Sequence, residues 1–329
     1  MTEPSEITEL TAAALTALLP EWRLALRAEN KSPGTIEVYT DGTRRYLRWC
    51  ESSEVAPMAR TSLHTWMAQM LDSGAAPGTV RTRQLAVKRF SAWLIATEQL
   101  PTDPFLGIKG PAQRYPVVTP LSEDELRALI ATCTTPTYRP GEPLHHRRDE
   151  AIIRLMLETG IRAGELIALH TDDLDLAAGR ITIRFGKGGR GRVIPVGPAT
   201  TQALQAYLVL RRDHPGAEES PLWLGARGTR FRYDGLGRAL RRRAKLAGID
   251  GFHPHKLRHT AAHRWLAKGG SESGLMAMAG WSRTDMLVRY TRATAGERAA
   301  VEARRLDLGN LGPTVADRAA DGALATRPD

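Results

Sequence analysis

Between Leu100 and Pro120 the chain carries five prolines, at positions 101, 104, 111, 116 and 120, with Gly107 and Gly110 among them. Proline lacks the N–H that a helix or an inner strand needs, and it pushes the residue before it out of helical geometry. No regular element can cross such a stretch. The 329 residues suffice for about two domains, so the chain is expected to fold as two bodies joined there. We place a helical domain over residues 1–100, a linker over 101–120 and a second domain over 121–311. Residues 312–329, an Ala-, Asp- and Gly-containing tail with no apolar period, are expected to be disordered.

The N-terminal hundred residues read as helices. Leu63, Trp66, Met67, Met70 and Leu71 fall at i, i+3, i+4, i+7 and i+8, one apolar helical face, and Gly74 follows as a stop. Ser32-Pro33 and Ala76-Pro77 each open a further helix, because proline at the first helical position loses no bond. Pro33 leads to Tyr46 and Trp49 at +13 and +16, and Pro77 leads to Phe90 and Trp93 at the same offsets. These are two helices with similar start signals and core aromatics, too few copies for a solenoid.

In the second domain, Ser122-x-x-Glu125 is a capping box that starts a helix with Leu126, Leu129 and Ile130 facing inward. A longer apolar helix spans about Asp149 to Glu158 and ends at Thr159-Gly160. Ile181, Ile183 and Phe185 alternate, and Val193, Ile194 and Val196 follow the turn Gly186-Lys187-Gly188-Gly189-Arg190-Gly191, which together signal a β-hairpin. Helices occupy the rest, with breaks near Pro198, between Pro215 and Pro221, between Gly248 and Pro254, and at Gly269-Gly270. The fold class expected is mainly α with a small antiparallel β-sheet, the sheet lying in an α+β second domain.

Forty-six Lys and Arg against thirty-six Asp and Glu give a net charge of +10, which points to a polyanionic partner, nucleic acid before an anionic membrane. From Gly225 to Lys268 there are twelve basic residues and two acids, Asp234 and Asp250. We read Arg241, Arg242 and Arg243 here, with Arg81, Arg83, Lys88 and Arg89 on the Pro77 helix, as DNA-backbone contacts. No run reaches the roughly 18 uncharged apolar residues of a membrane span, and the acidic start MTEPSEITEL does not read as a signal peptide. A cytoplasmic protein with no membrane partner is expected. Cys50 and Cys133, 83 positions apart, offer no disulfide framework or zinc knuckle and are expected to be reduced and buried.

Four stretches carry reactive side chains. In Thr159-Gly160-Ile161-Arg162-Ala163-Gly164-Glu165-Leu166, Arg162 sits at a junction between helices, where its planar fork suits a phosphate and Glu165 can hold it. Lys187 lies in a glycine turn that permits close ligand approach but lacks the P-loop pattern. His255, His259 and His263 recur at i, i+4 and i+8. A metal site is rejected there, because the zinc-protease glutamate is missing and Lys256, Arg258 and Arg264 repel a cation. His255 and Arg258 share a helical face and offer one phosphate a proton carrier and an anion clamp, with His259 and His263 buried or supporting. The fourth stretch is Gly280-Trp281 followed by Arg289-Tyr290-Thr291-Arg292.

In order and spacing, Arg162 in TGIRAGEL, Lys187 in the hairpin, His255 and Arg258 in HKLRH, Trp281 twenty-three positions after Arg258 and Tyr290 nine after Trp281 resemble a tyrosine recombinase of the phage integrase family. The resemblance runs from about Pro20 to Leu308. Trp281 departs from most members, which carry histidine there; it can donate through its indole N–H but cannot shuttle a proton. The resemblance implies an N-terminal core-binding domain that clamps duplex DNA opposite the catalytic domain, and a subunit that works as a tetramer through the helix Ala295 to Leu306. It implies that Tyr290 attacks a phosphodiester to form a 3′-phosphotyrosyl link. Arg162 and Arg258 would clamp the non-bridging oxygens, His255 would help transfer protons, Lys187 would protonate the leaving 5′ oxygen, and no cofactor or metal is required. The function expected is a site-specific recombinase, for integration or excision of a mobile element. A nicking and closing enzyme similar to type IB topoisomerases and a DNA-binding protein without catalysis are the alternatives weighed.

Overall fold

A computed structural model describes residues 10–112, 119–134, 142–184, 191–225, 230–281, 287 and 295–309. The tail 312–329 lies outside them. The chain divides into two compact units, Met1–Pro116 and Val117–Asp329.

The first unit is built from α1 (Ala12–Ala17), α2 (Leu19–Ala28), α3 (Pro33–Ser52), α4 (Arg60–Asp72) and α5 (Pro77–Ala96). Ser32 caps α3 by accepting the Thr35 N–H, and Pro33 and Pro77 each occupy the first position of their helix. α3 and α5 pack along each other, and the aromatics that echo at +13 and +16 lie on these two helices. Tyr46 and Phe90 are fully buried, stacked on Trp49 at 6.2 Å and on Trp93 at 5.7 Å. On α4, Leu63, Trp66, Met67 and Met70 are buried as the periodicity requires, and Leu71 stays 38% exposed at the edge of that face. Phe105 and Ile108, within the stretch read as linker, are buried in this same core, and the Ile108 carbonyl accepts from Gln84 and Lys88 of α5. Proline density marks the end of helix there, not the end of packing.

The second unit comprises α6 (Glu123–Ala131), α7 (Glu142–Thr159), α8 (Ala163–Ile167), strands β1 (Leu174–Asp175), β2 (Arg180–Ile183) and β3 (Arg192–Pro195), then α9 (Pro198–Arg211), α10 (Tyr233–Leu246), α11 (Pro254–Ala267), α12 (Glu272–Ala279) and α13 (Ala295–Leu306). The Ser122–Glu125 capping box forms in both directions. The three strands run antiparallel in the order β1-β2-β3, with Ile181 opposite Ile194, and alternation puts Ile181 and Ile183 inside. The molecule is mainly helical with one small antiparallel sheet, the expected class. α7 starts seven residues before its apolar run, because the charged turn from Glu142 to Arg148 continues the same helix.

That turn leads into a buried ionic cluster. Asp149, 1% exposed, accepts from Arg148 Nη2 at 2.7 Å and from Arg243 Nε at 2.9 Å, and Arg243 Nη1 donates to the Thr132 carbonyl at 2.6 Å. Arg148 also lies 3.8 Å from the centre of the Phe231 ring. Reading Arg243 as a DNA contact is therefore corrected: only 1% of it is exposed, whereas Arg241 and Arg242 face solvent. Three consecutive helical residues span roughly 200° and cannot share one face. Arg243 stands at i+7 from Leu236 and i+3 from Leu240, on the apolar stripe. Both cysteines are buried, one in each unit, and burial pushes each thiol up to about 11. No helix among the described residues is long and apolar enough to cross a membrane.

Removing one partner of a buried charge cluster strands the other. Arg243→Ala should lower stability by on the order of 3 kcal/mol in urea unfolding, and should leave the slope of log K against log salt for DNA binding unchanged.

Candidate active site

Four separated pieces of the second unit meet at the C-terminal end of α12. This helix stops because Gly280 takes the left-handed conformation, φ +63° and ψ 43°, which glycine adopts without a Cβ clash. The Trp281 N–H bonds to the Met276 carbonyl at 2.9 Å and the Gly280 N–H to the Ala277 carbonyl at 3.3 Å, the closure expected of a glycine-ended helix. The next three carbonyls accept from three different arginines. Met278 accepts from Arg192 Nε at 3.1 Å, Ala279 from Arg258 Nη2 at 2.9 Å, and Gly280 from Arg162 Nη2 at 2.6 Å.

Each arginine arrives from a different place. Arg162 is the N-cap of α8, two residues beyond the Gly160 turn that ends α7 at φ +60°. Arg258 lies on α11, is 2% exposed, donates to the Gly160 carbonyl as well and stands with its guanidinium carbon 5.2 Å from the centre of the Trp281 ring. Arg192 opens β3. Glu165 joins two of them: Oε1 accepts from Arg162 Nη1 at 2.7 Å and Arg192 Nη1 at 3.2 Å, while Oε2 accepts from Arg192 Nη2 at 2.7 Å and the Arg162 backbone N–H at 3.2 Å. Burial alone would raise the Glu165 pKa, but the hydrogen bonds from Arg192 and Arg162 outweigh it and hold the carboxyl below its ordinary range. Three guanidiniums against one carboxylate leave an excess of positive charge, the electrostatics of an anion site.

The structure thus brings together Arg162, Glu165, Arg258 and Trp281. Trp281 is buried with Leu266, Leu275 and Leu287. His255 is exposed on α11 one turn from His259, with their rings edge to face at 4.9 Å. Lys187 and Tyr290 lie outside the described residues. Among the residues read as DNA contacts, Arg81, Arg89, Arg241 and Arg242 are exposed, whereas Arg83 and Lys88 are half-buried, with Arg83 donating to the Met70 sulfur and Lys88 to the Ile108 carbonyl. Arg192 escaped the sequence reading. Its signal was the strand period of two, which sets it on the same face as the buried Ile194 and so calls for an acidic partner.

Residues 120–297 match the model of the phage integrase family, and residues 18–99 match its N-terminal SAM-like domain. The chain belongs to the phage integrase family. As a member it is a tyrosine recombinase, an enzyme that cleaves and rejoins DNA strands at specific sites through a 3′-phosphotyrosyl intermediate. It is 33% identical over 258 residues to tyrosine recombinase XerC of Mycobacterium tuberculosis (strain ATCC 25177 / H37Ra), covering 77% of this chain and 85% of that one. With the XerC of Mycobacterium sp. (strain KMS) it shares 29% identity over 278 residues, 82% of this chain and 92% of the other. In fold it is similar to the XerH site-specific recombinase bound to palindromic difH substrate, with a TM-score of 0.69 at 17% identity over 89% of this chain and 84% of that one. It is also similar to the Tn1549 transposon integrase in complex with circular intermediate DNA, with a TM-score of 0.62 at 19% identity over 85% of this chain and 94% of that one.

His259 titrates at about 4, lowered from 6.5 first by burial and then by the neighbouring charges of His255, His253, Arg258 and His263. A histidine held neutral on folding contributes stability that is complete above its unfolded pKa and is lost as pH falls towards the folded value. Wild-type unfolding midpoints should therefore drop as pH falls from 6.5 to about 4, and His259→Gln should flatten that dependence in thermal melts.

Proposed function

We propose that the cluster at the end of α12 is the phosphate clamp of this recombinase, and that duplex DNA at a specific recombination site is its substrate. The observation that supports the reading most strongly is the pairing of Arg162 and Arg258 on adjacent carbonyls, those of Gly280 and Ala279. Two guanidiniums fixed side by side suit the two non-bridging oxygens of one phosphodiester. Arg162, with 27% of its side chain exposed, meets the phosphate first, and DNA binding must uncover Arg258.

Tyr290, nine positions after Trp281 in the sequence, is the nucleophile in this reading. Its hydroxyl gives up its proton with the help of His255, and the oxygen bonds to phosphorus as the 5′ oxygen departs with a proton from Lys187. Rejoining reverses these steps without ATP, since the bond energy stays in the phosphotyrosyl link. Charge neutralisation comes from side chains, so cleavage needs no metal and survives EDTA. Exposed Arg81, Arg89, Arg241 and Arg242 supply phosphate contacts along the duplex. Assembly as a tetramer on DNA draws support from α13 and the residues just after it, where Leu306 is 51% and Leu308 80% exposed. Integration or excision of a mobile element is the use to which we assign the reaction.

Tyr290→Phe should abolish covalent capture of DNA and leave duplex affinity nearly unchanged, since one hydroxyl is lost. The assay is a nicked suicide duplex whose sequence is enriched from a randomised pool by gel shift with the wild-type protein. A slow covalent band is expected for wild type alone. An equal band from the Phe variant would remove Tyr290 from the reaction.

A further inference from the structure

Arg192 holds Glu165 with both ends of its guanidinium fork. It meets Glu165 fork to fork, Nη2 at 2.7 Å and Nη1 at 3.2 Å from the two carboxylate oxygens, while its Nε reaches the Met278 carbonyl at 3.1 Å. Only 14% of the side chain is exposed, and that of Glu165 only 5%. Arg162, by contrast, gives Glu165 one side-chain bond, from Nη1, and turns Nη2 to the Gly280 carbonyl. The two guanidiniums crowd the same spot: a Cβ on Gly280 would lie 2.7 Å from Arg192 Nη1 and 3.1 Å from Arg162 Nη1. Arg192 is also paired with Ile183 across the β2–β3 ladder, and Lys187 falls between these two residues in the sequence.

We propose that Arg192 is a positioning residue for strand cleavage, one that saturates Glu165 so that Arg162 stays available to the phosphate and that ties the base of the Lys187 hairpin to the end of α12. The proposal rests on the phosphate-clamp reading above. A buried carboxylate demands partners. Without Arg192, two of the four bonds to Glu165 disappear, and the nearest remaining cation is Arg162. Its planar fork can then close on both carboxylate oxygens, and the acid becomes a competitor of the DNA phosphate. Lysine cannot replace Arg192, because a single ammonium does not span both oxygens and the Met278 carbonyl.

The test compares wild type, Arg192→Gln, Arg192→Lys and the double variant Arg192→Gln with Glu165→Gln. Each is assayed for duplex affinity, for the rate of covalent capture on the enriched suicide duplex and for its urea unfolding midpoint. Both single variants should stay folded and bind DNA within about threefold of wild type, while capture slows on the order of 10²-fold, the usual loss from misplacing a reacting group by about 1 Å. The double variant removes the charge that traps Arg162, so it should capture at least about tenfold faster than Arg192→Gln. Capture by Arg192→Lys at the wild-type rate would overturn the proposal. So would a double variant no faster than Arg192→Gln, or single variants whose loss of rate matches a loss of folded protein, since those are the marks of a purely structural arginine. If wild type itself forms no covalent complex, the phosphate-clamp reading fails and this inference with it. If wild type captures and the single variants capture equally, only the inference fails.

Discussion

The end of an α-helix leaves carbonyl groups without intrahelical partners and a partial negative charge at that pole. At α12 the first two are closed by backbone N–H groups of Gly280 and Trp281, and the following three are met by Arg192, Arg258 and Arg162. That single helix end orders the cationic part of the site. It holds three like charges within one cluster, which self-repulsion would otherwise spread apart, and it fixes their relative positions through the rigid spacing of consecutive peptide units. Glu165 adds the counter-charge, buried beside two of the three arginines.

The rest of the second unit brings these pieces to one point. α7 must end where it does for Arg162 to leave the Gly160 turn towards α12, and the Gly160 carbonyl in turn receives Arg258. The sheet delivers Arg192, since pairing Ile181 with Ile194 puts the start of β3 alongside the end of β2. Trp281 follows the helix end directly and covers Arg258 from the apolar side, within cation–π range. A tryptophan at this position cannot move a proton, but its broad face can hold an arginine in place. Elsewhere, the Arg148–Asp149–Arg243 cluster braces α7 against α10 without touching this site.

Much of this was legible in the sequence because it is local. The capping box at Ser122, the prolines that open α3 and α5, the alternation of Ile181 and Ile183, and the stop at Gly160 all depend on neighbours within a few residues. Arg162 with Glu165, three residues apart, was legible for the same reason. Arg192 and Arg243 were not, because their partners stand 27 and 94 residues away. A basic residue next to other basic residues reads as surface until its far partner is known. In α10 the helical period did contain the answer, as Arg243 falls on the stripe of Leu236 and Leu240, but charge density spoke for solvent. The burial of Phe105 and Ile108 was hidden in the same way, under a proline content that signals loop and says nothing about packing.

The central claim is that Arg162 and Arg258, ordered by the end of α12, receive one phosphate between them. The most direct measurement is a structure of the Tyr290→Phe protein on the enriched duplex. The account predicts one backbone phosphate with its non-bridging oxygens about 3 Å from guanidinium nitrogens of both arginines, with Arg162 still bonded to Glu165 and to the Gly280 carbonyl. A scissile phosphate held by other groups, or an Arg162 that leaves Glu165 to reach it, would contradict the account.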